Sequence, residues 1–496
     1  MKKLILRGCT RLSNIRASLG NLKQLIQLDL NGCKSLRSLP NKIGLEALEI
    51  FDLGGCSRLK KFPEIVGNMS RLSELYLNET SIKDLPLSMK HVTGLIKLDL
   101  RDCKNLSSLL NACCSSMSLK ILTLSGCSKI DELPEKLGNL KGLEELDVSG
   151  TAIKDLPLAM QHVTGLIKLD LRDCKNLSSL PNAYCSSMSL KILTLSGCSK
   201  IDELPENLGN LKGLKELDVS GTAIKDLPLA VQHVTSLIKL NLRDCKNLSS
   251  LPNAYCSLMS LEILTLSGCS KIDELPENLG NLKSLEELDV SGTAIKEFPP
   301  SISLLKNLKV LHLNGCEGIS PNSSNKLTSC QRRSLYPMVT FEHSLLGLCS
   351  LTELDLCFCN LQSILDEIGC LSSLLRLSLD GNNFICLPKS MIQLSKLKAL
   401  RLNFCTSLRS LPELPLNIEG IGASCCTSLE TFSVRPEDEF VPALDLTNCV
   451  KLIENQDYSD LLSGMLRRYI IDEQVSLSRS LFLSLSLSLS LSLCCM

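Results

Sequence analysis

A leucine pattern that returns every 23 or 24 residues constrains this chain more than any other feature of its sequence. In the stretch 119–134, LKILTLSGCSKIDELP, the pattern reads Leu-x-x-Leu-x-Leu-x-x-Cys-x-x-Ile-x-x-Leu-Pro. Leu122 and Leu124 alternate with two small polar residues, which is the period-2 pattern of a short strand with one buried face. A glycine and Cys127 then end the strand, so each unit begins with a strand of only a few residues.

The residues after each strand favour a short helical turn. Pro134 fixes φ, and Leu137, Leu140 and Leu143 then fall on one side of a short helical or 3₁₀ segment. One such unit cannot bury its leucines alone, so the units must stack strand beside strand. The sequence therefore predicts an α/β fold, a leucine-rich repeat solenoid of about 18–19 repeats. We expect a curved horseshoe with a parallel β-sheet on its concave face and short helical or 3₁₀ segments and loops on its convex face.

The same pattern predicts one long array over residues 1–452. Within it, residues 95–307 form a triplicated block of 71 residues, and the copies 95–165 and 166–236 differ at only six places. Between the copies, surface positions are as often identical as core positions, although packing constrains only the core. We therefore interpret the block as a recent duplication, in which repeated surface residues carry little information about a partner.

Three segments depart from the repeat. The Ser- and Asn-rich segment 320–350 is predicted to be an inserted loop, either a solvated excursion or a contact element carrying Arg332 and Arg333. Residues 453–475 are interpreted as the remnant of a post-repeat region. Residues 476–496 form a low-complexity Leu/Ser tail, for which we expect disorder and no membrane span.

The charge and cysteine content narrow the possible functions. Lys plus Arg and Asp plus Glu are both 53, so no overall basic field favours nucleic acid. Fourteen of the 26 cysteines occupy one repeat position, where a thiol can pack and donate to a neighbouring carbonyl. Only three apolar residues separate Lys3 from Arg7, which is too short for a signal peptide. We therefore expect a cytoplasmic or nucleo-cytoplasmic location, where the thiols stay free.

The sequence contains no pattern that predicts catalysis. It has neither Gly-x-x-x-x-Gly-Lys-Ser/Thr for a phosphate loop nor a Gly-x-Ser-x-Gly elbow. The paired cysteines, such as Cys357 with Cys359 and Cys425 with Cys426, lack the Cys-x-x-Cys spacing of a zinc site. We expect no catalytic residues, no cofactor and no metal.

Without a predicted catalytic site, the outward-facing residues of the strands remain as a surface that a protein partner could bind. The coils that escaped duplication mix both charges with aromatic residues, as binding hot spots often do. We predict a protein-binding concave patch composed of Glu353, Asp355, Phe358, Arg376, Ser378, Asp380, Arg401, Asn403 and Phe404. The alternative is a solvated charged face whose ion pairs contribute little.

Several phrases carry a family resemblance, among them LNGCKSLRSLP, LDVSGTAIKDLP, LSGCSKIDELPENLGNLKSLEELDVSGTAIKEFPPSI and GLCSLTELDLCFCNL. With them, residues 1 to about 470 resemble the leucine-rich repeat region of plant TIR-type nucleotide-binding disease-resistance proteins of the TMV resistance protein N-like group. The resemblance implies recognition of a pathogen effector or a host protein, and restraint of a nucleotide switch. The chain shows no TIR or nucleotide-binding domain, so the NAD-cleaving and nucleotide-binding activities that the family has elsewhere are not expected here.

We therefore interpret the chain as a non-catalytic recognition module of a plant immune receptor, encoded by a truncated gene or an incomplete gene model. Its expected partners are a protein ligand and the nucleotide-binding domain of a parent receptor, and neither nucleic acid nor a membrane is expected. The alternative is a stand-alone cytosolic leucine-rich repeat scaffold or inhibitor that binds a host enzyme.

Overall fold

The computed structural model describes residues 1–109, 111–186, 189–316, 347–364, 366–432 and 443–454. The chain forms two compact units, Met1–Leu261 (unit 1) and Glu262–Met496 (unit 2). Most of the predicted inserted loop, including Arg332 and Arg333, lies outside the described residues. Most of the predicted post-repeat remnant and the whole Leu/Ser tail lie outside them as well.

Unit 1 is a stack of coils, each with a short strand and, in most coils, a short 3₁₀ helix. Its strands are β1 (Lys3–Ile5), β2 (Gln27–Asp29), β3 (Lys42–Ile43), β4 (Ile50–Asp52), β5 (Glu64–Ile65), β6 (Glu74–Tyr76), β7 (Lys97–Asp99), β8 (Ile121–Thr123), β9 (Glu145–Asp147), β10 (Lys168–Asp170), β11 (Ile192–Thr194), β12 (Glu216–Asp218) and β13 (Lys239–Asn241). Its 3₁₀ helices are Ala17–Asn21, Leu87–His91, Asn111–Ser115, Glu135–Asn139, Leu158–His162, Asn182–Ser186, Glu206–Asn210, Leu229–His233 and Asn253–Ser257.

Unit 2 repeats this construction. Its strands are β14 (Ile263–Thr265), β15 (Glu287–Asp289), β16 (Val310–His312), β17 (Glu353–Asp355), β18 (Arg376–Ser378), β19 (Ala399–Arg401), β20 (Ser410–Leu411), β21 (Gly420–Gly422), β22 (Thr431–Phe432) and β23 (Ala443–Asp445). Its 3₁₀ helices are Leu279–Asn281, Pro300–Leu304, Asp366–Cys370 and Lys389–Gln393, and an α-helix follows at Val450–Glu454.

The strands of each unit pair in parallel, with the central leucines in register. In unit 1, Leu122 of β8 pairs with Leu98 of β7 and Leu146 of β9. In unit 2, Leu311 of β16 pairs with Leu354 of β17, although 42 positions separate them in the sequence. The predicted repeat register is therefore confirmed, and it continues across the inserted segment.

The leucine pattern fills the core as the sequence predicts. Leu122, Leu124 and Leu137 are at most 1% exposed, and Leu140 and Leu143 are fully buried. The segment after Pro134 is the 3₁₀ helix Glu135–Asn139, which confirms the predicted turn. Each coil places its apolar side chains against those of its neighbours, so the hydrophobic effect stabilises the stack and not the single coil.

The repeated cysteine and threonine form a ladder of buried donors. Cys127 Sγ donates to the carbonyl oxygen of Leu100 in the preceding coil at 3.0 Å. Thr151, which takes the same place in a shorter coil, donates from Oγ1 to the carbonyl oxygen of Val148 at 2.7 Å. The predicted role of these small groups is confirmed. Burial raises the pKa of the Cys56 thiol to about 12, so this thiol stays protonated at neutral pH.

Candidate functional site

The residues of the predicted binding patch lie on three consecutive strands of unit 2. Glu353 pairs with Arg376 and Asp355 with Ser378 between β17 and β18, and Ser378 pairs with Arg401 between β18 and β19. Because side chains alternate across a strand, these residues flank the buried leucines and face away from the core. The turns after these strands carry Phe358, Asp380, Asn403 and Phe404. The structure therefore brings the nine predicted residues onto three neighbouring coils.

Glu353 is an acceptor shared by two neighbouring strands. Arg376 Nε donates to Glu353 Oε2 at 2.8 Å, and His312 Nε2 on β16 lies 3.3 Å from Glu353 Oε1. Partial burial acts to raise the pKa of Glu353, but the hydrogen bonds and charges of Arg376 and His312 outweigh it and hold the pKa below its ordinary value. The carboxylate is therefore ionised at neutral pH. Sequence reasoning missed His312 because the inserted segment separates it from its partner.

Arg401 is held at the surface by a buried carboxylate. Arg401 Nη2 lies 2.6 Å from Asp380 Oδ2, and the side chains are 62% and 5% exposed. The backbone N–H of Asn403 donates to Asp380 Oδ1 at 2.8 Å, so the carboxylate is satisfied on its inner side. The remaining guanidinium donors of Arg401 can reach a carboxylate or carbonyl of a partner.

Asp355 serves the turn of its own coil, and Asn403 serves the turn of the next coil. The N–H of Cys357 donates to Asp355 Oδ1 at 2.9 Å, and the N–H of Ser424 donates to Asn403 Oδ1 at 2.9 Å. The bond made by Asp355 recurs in unit 1, where the N–H of Ser149 donates to Asp147 Oδ1 at 3.0 Å. Such bonds satisfy backbone N–H groups that have no partner in the sheet because the strand ends there. Asp355 therefore has a structural role that other coils share.

Phe358 and Phe404 are exposed aromatic residues with an unusual backbone. Their φ angles are 55° and 63°, in the left-handed region that bulky residues rarely adopt. They are 51% and 55% exposed, so burial does not repay that conformation. Most other coils place glycine here, as at Gly315, or a short polar residue, as at Asp244, and two coils place Glu79 and Cys425. Formation of the turn therefore does not require an aromatic residue at either position.

Gly381 occupies the same turn position in the coil between these two residues. Its φ is +69°, and a Cβ added there would overlap Cδ1 and Cε1 of Phe358. The ring of Phe358 therefore lies across Gly381, on the side of its coil that faces the coil of Phe404. We call Phe358, Gly381 and Phe404 the aromatic ledge.

Asn382 fixes the turn that carries Phe358. This fully buried residue stands where other coils have cysteine or threonine. Its Nδ2 donates to the carbonyl oxygens of Leu356 and Leu379, both at 2.8 Å. Its Oδ1 accepts from the N–H groups of Leu361 at 3.0 Å and Cys359 at 3.2 Å. Sequence reasoning missed this residue, although an asparagine in the cysteine position was the available signal.

Two other kinds of site are absent from the described part of the chain. No group of three or more His, Cys, Asp or Glu side chains there could hold a metal ion. Among the same residues no helix has the length and apolar character that crossing a membrane requires.

The stacked coils, the register of their leucines and their open strand surface define a leucine-rich repeat module. A family described as a leucine-rich repeat region matches residues 166–271 and 254–364. A second family, described as disease resistance protein RPS4B-like leucine-rich repeats, matches residues 44–115.

Similar proteins then specify the family. A probable disease resistance protein of Arabidopsis thaliana is 32% identical over 452 residues, which cover 89% of this chain and 22% of that protein. TMV resistance protein N of Nicotiana glutinosa is 35% identical over 248 residues, which cover 49% of this chain and 22% of that protein. The chain belongs to the leucine-rich repeat regions of plant disease-resistance proteins, and it spans about a fifth of the length of these relatives.

Solved structures agree on the fold. A leucine-rich repeat protein of Leptospira interrogans is 27% identical with a TM-score of 0.57, and the match covers 81% of this chain and 89% of that one. A TDR receptor, at 19% identity and a TM-score of 0.55, matches over 91% of this chain and 79% of its own. The second likeness concerns the fold alone.

Proposed function

We propose that this chain is a non-catalytic protein-recognition module of a plant immune receptor. It binds a pathogen effector or a host protein through the outward residues of β17, β18 and β19. In a full-length receptor of this family the same array restrains the nucleotide switch by contact with the nucleotide-binding domain. The aromatic ledge is the observation that carries the binding proposal.

The chemistry of the surface supports protein recognition. Binding hot spots combine aromatic anchors with arginine, and they are surrounded by contacts that exclude water. The aromatic ledge lies beside Arg401, whose guanidinium is fixed by Asp380, and Arg376 is fixed in the same way by Glu353. Side chains that are already ordered lose less entropy when a partner binds. The surface is therefore prepared to bind an apolar side chain flanked by acceptors.

The experiment replaces both anchors without disturbing the turns. Asparagine has a positive φ of 63° at Asn448, the same turn position in a later coil, so Phe358→Asn and Phe404→Asn should keep the fold. The partner is first captured from pathogen-treated plant extract with the full chain, purified, and titrated by calorimetry. We expect the double variant to bind at least about a hundredfold more weakly, because each buried aromatic anchor contributes about 2 kcal/mol or more.

The matched control removes exposed apolar side chains far from this surface. Leu158 and Leu229 of unit 1 are 63% and 59% exposed at the starts of their 3₁₀ helices. The double variant Leu158→Asn and Leu229→Asn should bind within about threefold of the native chain, as exposed residues outside a contact do. Equal losses in both double variants would show that the aromatic ledge is not the binding surface.

A further inference from the structure

Two copies of the duplicated block, 95–165 and 166–236, can be compared at the residues that immediately precede their strands, which we call the edge of each copy. In each copy two successive coils place a charged residue immediately before the strand, at Lys120 and Glu144 in the first copy and at Lys191 and Lys215 in the second. The backbone geometry is the same, since the N–H of Glu144 donates to the carbonyl oxygen of Lys120 at 2.8 Å and that of Lys215 to Lys191 at 2.8 Å. The copies therefore differ here in charge and not in shape.

In the first copy the two charges neutralise one another. Lys120 Nζ lies 2.7 Å from Glu144 Oε1, and the next strand repeats the arrangement with Lys168 Nζ 2.7 Å from Glu145 Oε1. Lys120 and Lys168 therefore each form an ion pair with a glutamate of an adjacent coil.

In the second copy the same edge carries uncompensated lysines. Lys191, Lys212, Lys215 and Lys239 are all exposed, and none of them has an ion-pair partner within 4.0 Å among the residues that the structure describes. Lys191, Lys215 and Lys239 lie on three consecutive coils: Lys191 and Lys215 immediately precede β11 and β12, whereas Lys239 is the first residue of β13 and pairs in register with Glu216. We call these four residues the lysine edge.

The net charge of the two edges can be compared position by position. Positions 120, 141, 144, 145 and 168 hold three lysines and two glutamates, a net charge of +1. The matching positions 191, 212, 215, 216 and 239 hold four lysines and one glutamate, a net charge of +3. Like charges on neighbouring strands destabilise a sheet, so the second copy gains nothing in folding from Lys215. An anionic partner would remove that repulsion.

We propose that the lysine edge of unit 1 is a second contact surface, which binds an acidic segment of a partner protein. Its groups suit carboxylates spaced about 5 Å apart, because neighbouring strands are about 4.8 Å apart. Lys212 extends the row toward the preceding loop, and Glu216 is the acidic side chain among these matched positions.

A protein segment fits this surface better than nucleic acid or a membrane. Nucleic-acid binding rests on many phosphate contacts and on aromatic residues that stack on bases, and the five positions of this edge contain no aromatic residue. Binding to anionic lipid needs a larger basic cluster than three net charges, and the whole chain has a net charge of zero. The surface is independent of the aromatic ledge, which lies in unit 2.

The experiment converts one edge into the other. A fluorescein-labelled hexaglutamate peptide is titrated against the full chain by fluorescence anisotropy at low ionic strength, where charges are least screened. The substitution Lys215→Glu recreates the ion pair of the first copy, and we expect it to weaken peptide binding about tenfold. The reverse substitution, Glu144→Lys, should create a second site and raise the stoichiometry from one peptide to two.

The control is Lys200→Glu, which reverses an exposed lysine elsewhere on the coil of Lys191. Lys200 Nζ donates to Asn176 Oδ1 at 3.2 Å, so the lysine belongs to another surface. Its peptide affinity should stay within about twofold of the native chain. Unchanged peptide binding in Lys215→Glu would overturn the proposal, provided that circular dichroism shows a folded protein.

Two further measurements decide the class of partner. Vesicles containing phosphatidylserine and a single-stranded DNA oligonucleotide are tested with the same variants. Binding to either one that requires Lys215, with no peptide binding, would assign the edge to that ligand and refute the acidic protein segment. Sedimentation of the protein alone tests a second copy, and self-association abolished by Lys215→Glu would refute the proposal in favour of that occupant.

Discussion

The contact between Phe358 and Gly381 predicts an unusual response to one added methyl group. Gly381 has φ +69°, and its missing Cβ leaves the space that the Phe358 ring occupies. Gly381→Ala should therefore destabilise the protein in two ways, through the left-handed backbone and through overlap with the ring. It should also displace the ring and so weaken partner binding.

The two contributions can be separated within unit 2. Gly292 has φ +66°, and a Cβ there would meet nothing closer than Gly268 at 3.7 Å, an ordinary contact. Gly292→Ala should therefore lower the free energy of unfolding only by the cost of the left-handed backbone conformation, about 1–2 kcal/mol. Gly381→Ala should cost about 1 kcal/mol more, at the lower end of overpacking, because an exposed ring can rotate away.

The assay is urea denaturation followed by circular dichroism, with free energies of unfolding taken from the midpoint and slope. Gly381→Ala and Gly292→Ala are each made in the native chain and in the Phe358→Asn background. In that background the ring is absent, so the two substitutions should cost the same. The difference between backgrounds is a coupling energy of about 1 kcal/mol for residues in contact.

The reasoning would be refuted if Gly381→Ala and Gly292→Ala cost the same in the native chain. Equal costs would mean that the ring of Phe358 does not rest on Gly381 in solution. A partner affinity unchanged by Gly381→Ala would separately show that the position of the ring is irrelevant to binding.

Three other outcomes are expected. Asn382→Ala removes the acceptor of the Cys359 and Leu361 N–H groups and the Nδ2 donation to Leu356, whereas the carbonyl oxygen of Leu379 keeps its bond from Cys405. The substitution should cost roughly 2–4 kcal/mol in urea denaturation. Cys405→Ala removes only one Sγ donation to Leu379 at 3.3 Å and should cost about 1 kcal/mol; a larger loss at Cys405 would contradict this. Burial raises the pKa of Cys359 to about 12 and of Cys405 to about 11. The unfolded chain releases these two thiol protons above pH ~8.5, while the native chain keeps them. The contribution of these thiols to stability is therefore complete below that pH, and it falls by up to about 1.4 kcal/mol per pH unit and thiol as the pH rises toward 11–12. A urea midpoint that is constant over this range would exclude this effect. Reversal of Arg376 and Arg401 to glutamate should weaken partner binding far more than reversal of Arg172 and Arg243. The second pair is a suitable control, since Arg172 pairs with the buried Asp170 at 2.8 Å just as Arg401 pairs with Asp380, so that the structural cost at these two positions is matched. Calorimetry with the purified partner measures this, and similar losses from both pairs would argue against a site in unit 2.

The alternation of leucines with polar residues is sufficient to determine the fold of this chain. Each coil can bury its apolar side chains only against a like coil, so the pattern alone sets parallel strands, their register and the short 3₁₀ turns. The role of Cys127 and Thr151 was also readable, because a small donor recurs where each strand ends.

The binding patch was predictable as a set of positions but not as a set of contacts. Alternation along β17, β18 and β19 places Glu353, Arg376 and Arg401 on the open face, and that inference needs only the repeat. The sequence could not show that Asp380 of one coil holds Arg401 of the next, or that Asp355 serves its own turn, because long side chains can reach several partners.

The tertiary structure alone decided which groups meet between coils. His312 reaches Glu353 because β16 and β17 are neighbours despite the inserted segment. The ring of Phe358 rests on Gly381 because stacking brings their turns together, and Lys191 and Lys215 follow one another for the same reason. Repeat periodicity fixes where each coil lies, whereas the direction and pairing of surface side chains depend on distances of a few ångströms between coils.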